Sequence, residues 1–287
     1  MAKKIRMADF RDDDRYCQEL IKQVDHDRYL TVLYARAARR PALFALYGFN
    51  YEISRIRQTV SEPMVGEIRL QWWREAIDDI YQDIIGPHDI LPALAAAIGE
   101  YDIGRASLMG LIDGRVPDLY DEPLKNIAGL EEYLGQTAGN LSCLAVYILG
   151  QRDIDDLAQR LGMAWGYVGI IRSLAYHSSL KKSYIPLDLK KKYDLPEEVF
   201  LIPDQAARIK APLQELCQQA LHHLAYVTAG KARINRDSRS VFLLAALTRS
   251  YLKTIKKADY NPFMLAEKAD ALPRHWHLLT SALFNRI

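Results

Sequence analysis

Apolar residues recur every three or four positions along almost the whole chain, and no stretch alternates apolar and polar residues between hairpin turns, so the pattern predicts helices and no sheet. Leu46, Phe49, Ile53, Ile56 and Val60 form one such stripe, on a helix expected to open near Pro41. Ser61-Glu62-Pro63 reads as the next helix start, with Ser61 as N-cap and Pro63 in the first turn, where its missing N–H costs nothing. The following helix runs through Met64, Ile68, Trp72, Ala76 and Ile80, and Gly86-Pro87 is expected to end it. Further helical patterns cover 12–35, 90–112, 130–149, 153–177, 205–229, 238–256 and 262–270. The longest irregular piece is 178–204, which holds prolines and several lysines. No repeat of about 20–50 residues is visible, which disfavours a solenoid. A single all-α domain over 1–287 is the economical reading.

Charge and cysteine usage narrow the function classes. The chain carries 38 Lys+Arg against 36 Asp+Glu, a net charge of +2, whereas polyanion binders show a marked basic excess, so no nucleic-acid partner is expected. With 49% hydrophobic and 26% charged residues the chain has enough apolar matter for a sizeable core. Cys17, Cys143 and Cys217 stand far apart with no C-x-x-C spacing, which gives neither a disulfide framework nor a zinc site and fits a reducing compartment. The opening residues lack the apolar stretch of a signal peptide and turn acidic too early for a transit peptide. The runs Leu91–Ile98 and Leu141–Leu149 fall short of the roughly 18–20 residues that span a bilayer. A cytoplasmic location is expected, with peripheral contact to an anionic membrane surface as an extension. Lys190-Lys191-Lys192, with Lys181 and Lys182 nearby, are the candidate headgroup contacts at roughly 1 kcal/mol per basic residue, against a solvated loop as the plainer reading.

Two segments concentrate residues that carry chemistry. In 44–75, Tyr47, Asn50 or Tyr51, Ser54 and Gln58 fall on successive helical turns and make a polar strip beside the apolar stripe. Such strips between bundled helices are where ligand sites are built. Arg69, Trp72, Trp73 and Arg74 follow, combining guanidinium groups with large aromatics; packed tryptophans and surface arginines are the alternative. In 166–186, Arg172 sits in an apolar run and needs an anion, a carboxylate or a route to solvent, with His177, Lys181 and Lys182 close behind. Asp79 with Asp83, and Asp9 with Asp13, read as solvated charged faces, and Glu52 is the one acid within the polar strip. His222-His223 and His275-x-His277 lack metal-ligand spacing, and no catalytic triad, P-loop or G-x-G-x-x-G signature occurs.

The segments ALYGFN, SEPMVGEIRLQWWREAIDDIY, YLGQTAGNLSCLAVYILG and GYVGIIRSLAYHSSLKKSYIPLDL together resemble the squalene/phytoene synthase family, most strongly over 29–189. That resemblance implies an isoprenoid-synthase helical bundle with a central cavity, in which two D-x-x-x-D motifs hold Mg²⁺ ions that bind prenyl diphosphates. Here those motif positions carry Ser54 and Gln58 in the first segment and Gly169, Arg172, Ser173 and His177 in the second, so only the arginine is kept. Lys182 stands for the arginine of the family's next element, followed by Tyr184 and the rest of YIP. Mg²⁺ wants oxygen ligands, carboxylates among them, and neutral Ser, Gln and Gly do not offset its charge. No metal or cofactor is therefore expected, Mg²⁺ entering only if a prenyl-coupling enzyme survives on unorthodox ligands. The acid-less pattern is similar to a divergent branch of respiratory complex I assembly factors with α-proteobacterial members. It implies a non-catalytic role near the inner face of the inner membrane (the matrix side in a eukaryote) with a protein partner in respiratory-complex assembly, or an isoprenoid or lipid ligand bound without being transformed. The alternative is a transferase condensing two prenyl diphosphates head to head. The cavity residues carried over are Tyr47, Asn50, Ser54, Gln58, Arg69, Trp72, Trp73, Arg74, Gly169, Arg172, Ser173, His177, Lys182 and Tyr184, with none expected to be catalytic.

Overall fold

The computed structural model describes residues 10–120, 122–179, 183–196, 205–265, 278 and 280, and side chains from residue 14 on, those of 177–179 excepted. Among the described residues every regular element is a helix or helical turn. In chain order they are α1 (Phe10–Val24), α2 (His26–Val32), α3 (Arg40–Ser54), α4 (Pro63–Ile80), α5 (Leu91–Tyr101), α6 (Arg105–Asp113), α7 (Val116–Leu119), α8 (Ile127–Leu134), α9 (Asn140–Ile148), α10 (Asp155–Ser179), α11 (Leu187–Lys192), α12 (Lys210–Ala229), α13 (Arg239–Phe242) and α14 (Leu244–Lys257). They cluster into two compact units, one of residues 1–120, 143–153 and 236–241 and one of 121–142, 154–235 and 242–287.

In the first unit α3 packs against α1 and α5, and Leu43, Leu46, Phe49 and Ile53 are buried, as the stripe requires. The stripe does not continue as one helix, because α3 stops at Ser54 and a 3₁₀ turn over Ile56–Thr59 carries the chain to Val60. Pro63 opens α4, but Glu62 occupies the N-cap position and no side chain caps it, so Ser61 does not play that part. The helix ends at Ile80, ahead of Gly86-Pro87, and Asp83 takes the left-handed conformation just beyond it, a geometry that a short polar side chain tolerates. That places Asp79 and Asp83 on different backbone geometries, so their D-x-x-x-D spacing gives no shared helical face.

The buried face of α4 agrees with the expected stripe at Ala76 and Ile80 and departs from it over the first turns. Gly66, Leu70, Trp73, Ala76, Ile77 and Ile80 are buried, whereas Met64, Ile68 and Trp72 face outward. Gly66 decides this, because a Cβ there would come within 2.4 Å of the Leu119 side chain, so α4 is pressed onto α7 along the Gly66 edge. The long pattern at 90–112 splits because Asp102 adopts φ of 53° and stops α5. Residues 12–35 divide likewise at Asp25, whose side chain accepts from the Arg28 N–H and caps α2.

In the second unit α10 is the central helix, packed by α12, α14, α8 and a π-helical turn over Gly135–Gly139. The approach is close: a Cβ on Gly162 would lie 2.1 Å from the Ala138 carbonyl oxygen. The segment taken as irregular from 178 onward contains a last helical stretch of α10 and the short α11. No described helix is long and apolar enough to cross a membrane.

Candidate functional site

The first unit holds a pocket of about 260 Å³ lined by Glu52, Arg55, Ile56, Thr59, Arg69, Trp72, Trp73 and His88. The end of α3 and the 3₁₀ turn supply one wall and α4 supplies the other. Trp73 is packed edge-on against Phe49 at 5.4 Å and against Trp72 at 5.0 Å, and His88 meets the Trp73 ring at 5.0 Å. The aromatic wall is thus anchored in the core at one end and open to solvent at Trp72, which is 39% exposed. Offset and edge-to-face contacts of this kind hold the rings in fixed orientations.

The polar wall is cationic in balance. Arg55 lies 3.5 Å from Glu52, a weak and half-exposed pair. Arg69 donates to Thr59 Oγ1 at 2.6 Å, and Thr59 in turn donates to the Ile56 carbonyl at 2.9 Å. That hydroxyl is a neutral partner, and Arg69 meets no carboxylate among the described residues. The pocket therefore offers a guanidinium beside a rigid indole, a pairing that suits an apolar or aromatic body carrying a negative group.

The residues expected to share one cavity are used in different ways. Arg69, Trp72 and Trp73 do come together in this pocket. Arg74 turns to α6 and donates from Nε and a terminal nitrogen to Asp113 Oδ1, at 3.1 and 2.8 Å. Asn50 accepts from Arg115 at 3.3 Å, and the Ser54 hydroxyl donates to the Tyr51 carbonyl of its own helix at 2.9 Å. Gln58 is exposed on the 3₁₀ turn. Tyr47 is buried with the Arg28 guanidinium 5.4 Å from its ring centre, and burial pushes its hydroxyl up to about 12, so it stays neutral.

In the second unit Arg172, expected to need an anion, a carboxylate or a route to solvent, is part-exposed and lies over the Tyr251 ring, 3.8 Å from its centre, with Trp165 at 5.8 Å. Ser173 donates to the Gly169 carbonyl at 2.8 Å, while a Cβ on Gly169 would meet nothing within 4 Å. Tyr184 stacks on Tyr133 at 5.6 Å. The His177 side chain and Lys182 lie outside the described residues. Of the lysine cluster, Lys190 is buried and Lys192 is paired with Glu215, which also accepts from the Tyr193 hydroxyl, so three solvated ammonium groups are not presented together.

Sequence reading missed the network around His223. This ring is fully buried, its Nδ1 3.1 Å from Arg160 and its Nε2 3.2 Å from Glu131, and it stacks on Tyr167 at 5.8 Å. Burial holds the histidine below its ordinary value despite Glu131. The adjacent pair His222-His223 drew attention only as a failed metal motif. The missing signal was tertiary, since Glu131 is 92 residues away along the chain. Glu52 was read as the one acid of the polar strip, but Arg55, Thr59 and His88 were not expected in the site; the 3₁₀ turn after Ser54, which a continuous helix to Val60 did not foresee, brings Thr59 to Arg69.

The fold family's Mg²⁺ does not fit this donor set. Ser54 and Ser173 have hydroxyls committed to their own helices, Gly169 offers no side chain, and Gln58 is a neutral amide in solvent. Among the described residues no three His, Cys, Asp or Glu side chains gather in a way that holds a metal ion.

The chain belongs to the squalene/phytoene synthase family, whose model matches residues 21–280. Its fold is shared with a dehydrosqualene synthase solved with a ligand, at a TM-score of 0.86 and 17% identity over 97% of this chain and 98% of that one. Among curated proteins it is similar to the NADH dehydrogenase (ubiquinone) complex I assembly factor 6 of Bos taurus, 32% identical over 91% of this chain and 79% of the relative, and to that of Homo sapiens at 30% over 92% and 81%. Similarity to the presqualene diphosphate synthase of Sinorhizobium fredii is narrower, 28% over 55% of this chain and 57% of that protein.

Proposed function

We propose that this protein is a non-catalytic assembly factor for respiratory complex I, which uses a prenyl-synthase scaffold as a binding body. One observation carries the reading: the motif positions among the described residues hold no carboxylate, Ser54 and Ser173 being bonded to their own helices, in a chain whose similarity to assembly factors covers 91–92% of its length. Metal assistance supplies several kcal/mol in diphosphate departure, and each ~1.4 kcal/mol lost is tenfold in rate, so this donor set leaves little ionisation chemistry. What remains is a rigid helical body with a cationic, aromatic pocket. The reading assigns a protein client in the assembly line and a place on the matrix or cytoplasmic side of the energy-coupling membrane.

The test is complementation. Human cells lacking the human relative are given this chain behind a matrix-targeting leader, and assembled complex I is measured on native gels with NADH oxidation. Restored complex is the expected result. Chelator-sensitive coupling of radiolabelled farnesyl diphosphate by the purified protein, with no restoration in cells, would overturn the reading.

A further inference from the structure

Four large apolar side chains lie exposed on two turns of α4: Met64 (73%), Val65 (40%), Ile68 (64%) and Trp72 (39%). Met64, Ile68 and Trp72 are spaced by four, so they form one stripe along the helix, while the opposite face is clamped through Gly66, Leu70, Trp73 and Ile77. A stripe of this kind at the edge of an indented pocket is the anatomy of a protein-binding surface. The chemistry of the rim specifies the occupant. On the flank towards the pocket stand Arg69, bonded only to the neutral Thr59 hydroxyl, and Arg55, loosely paired with Glu52. Away from the pocket Glu67 accepts from the Tyr120 hydroxyl, and Glu75, one turn beyond Trp72 on the stripe's own side, accepts from the Gln71 amide, so the acids of α4 stand at the stripe's far edge and C-terminal end and its cation Arg69 on the pocket side. The pocket side carries the excess of cations, Arg55 and Arg69 against the single carboxylate of Glu52, and there an anion is favoured.

Size decides between a small molecule and a side chain. The pocket's roughly 260 Å³ lies below the ~300–1,000 Å³ of typical ligand sites. It suits one large side chain presented by a larger body resting on the stripe. A helix running along α4 would place apolar residues at i, i+4 and i+7 over Met64, Ile68 and Trp72.

We propose that the exposed stripe of α4 and the Arg69–Trp72 pocket form a docking surface for an acidic amphipathic helix of a partner protein. One apolar or aromatic side chain enters the pocket against Trp72 and Trp73, and a carboxylate one turn away pairs with Arg69. The proposal rests on the assembly-factor reading for the partner's biological identity, but the surface is testable without it.

A displayed library of helical peptides is selected on the wild-type protein and counter-selected on Trp72→Ala. Enriched peptides are then measured by fluorescence anisotropy on wild type, Trp72→Ala and Arg69→Glu, all checked for native melting. The expected peptides carry an apolar stripe with Asp or Glu beside it, and bind each variant at least about tenfold more weakly, a loss of ~1.4 kcal/mol. Exchanging the key peptide acid for lysine should restore binding to Arg69→Glu. Enrichment of basic peptides, absence of Trp72-dependent enrichment, or indifference to Arg69→Glu would overturn the proposal. So would Trp72-dependent sedimentation with phosphatidylglycerol vesicles in the absence of peptide binding, which would make the stripe a membrane contact. The same two variants are placed in the complementation assay. If wild type and variants restore complex I equally, this surface fails and the function stands; if peptides bind as expected but wild type restores nothing, the function fails and the surface stands.

Discussion

The family resemblance puts one acidic motif at the end of α3, ahead of α4, and the other in α10, and the polar groups around the two places are disposed in different ways. In α10 and its neighbours the polar groups left behind are bonded inward: Ser173 to its own helix, Arg172 onto Tyr251, and His223 between Glu131 and Arg160. In α3–α4 a tryptophan, two arginines and an apolar stripe remain turned towards solvent around an open pocket. The polar groups of the one region thus serve internal packing, while those of the other stay available for recognition. Exposed aromatic and guanidinium groups cost little to the fold and gain their value from a partner.

The sharpest way to break the comparison is to disturb the core packing of each region, by overfilling it in one and emptying it in the other. Gly162→Val drives a side chain into the Ala138 backbone carbonyl, and backbone yields less readily than a rotamer. A loss of about 4 kcal/mol or more is expected, read as a lost or multi-step urea transition. In α4, Leu70→Ala at a fully buried position is expected to cost about 2–5 kcal/mol. Comparable melting of wild type and Gly162→Val would show that the centre of the second unit is looser than its geometry implies.

The next effect is one of pH. Burial lowers the His223 value below the ordinary 6.5, with Arg160 and His222 acting in the same direction and Glu131 opposing. The unfolded chain then takes up its proton first as pH falls, so stability is full above about 6.5 and declines as pH drops towards the folded value. His223→Gln keeps polar reach to Arg160 and Glu131 but does not titrate. It is expected to cost about 1–2 kcal/mol at pH 7.5, and to lose less stability than wild type between pH 7.5 and 5.5. Urea midpoints at the two pH values give that double difference; parallel losses would show that His223 does not drive the slope.

The helical architecture was legible because amphipathic spacing depends on local sequence, and the α3 stripe of Leu46, Phe49 and Ile53 is buried as read. The α4 face was misread for an instructive reason. Met64, Ile68 and Trp72 satisfy helical periodicity, but so do Leu70, Trp73 and Ile77, and only the close approach at Gly66 selects between the two faces. Breaks at Asp25, Asp83 and Asp102 also escaped the pattern, since they rest on caps and left-handed residues that aspartate accepts without the usual glycine marker. Within the site, Arg69, Trp72 and Trp73 were visible as a dense cluster. Their neighbour His88 was not, because its place against the indoles depends on the path of the chain after α4.

A smaller effect tests how the second region satisfies its arginine. Arg172 lies 3.8 Å from the centre of the Tyr251 ring, and such contacts contribute about 0.5–2 kcal/mol. Arg172→Met retains the stem and removes the charge, with an expected cost of about 1 kcal/mol in urea melts. Tyr251→Leu on that background should cost less than on wild type, since the shared contact is already gone. Strict additivity would mean that Arg172 is stabilised by something other than this ring.

The smallest effect is the one on which the contrast turns. Ile68→Ser removes an apolar side chain from the middle of the α4 stripe, yet at 64% exposure little packing is forfeited. Stability should stay within about 0.5 kcal/mol of wild type, while Leu70→Ala, two residues on, is strongly destabilising. Serine's weaker helix propensity sets the sign of any residue, slightly unfavourable. A loss near 2 kcal/mol would mean that Ile68 is covered in solution, by a second copy or by another part of the chain. Dilution separates these, because cover by a second copy weakens with protein concentration and cover from within the chain does not. A change near zero leaves the stripe solvated in the isolated protein, which is the condition a partner helix needs if it is to gain by covering it.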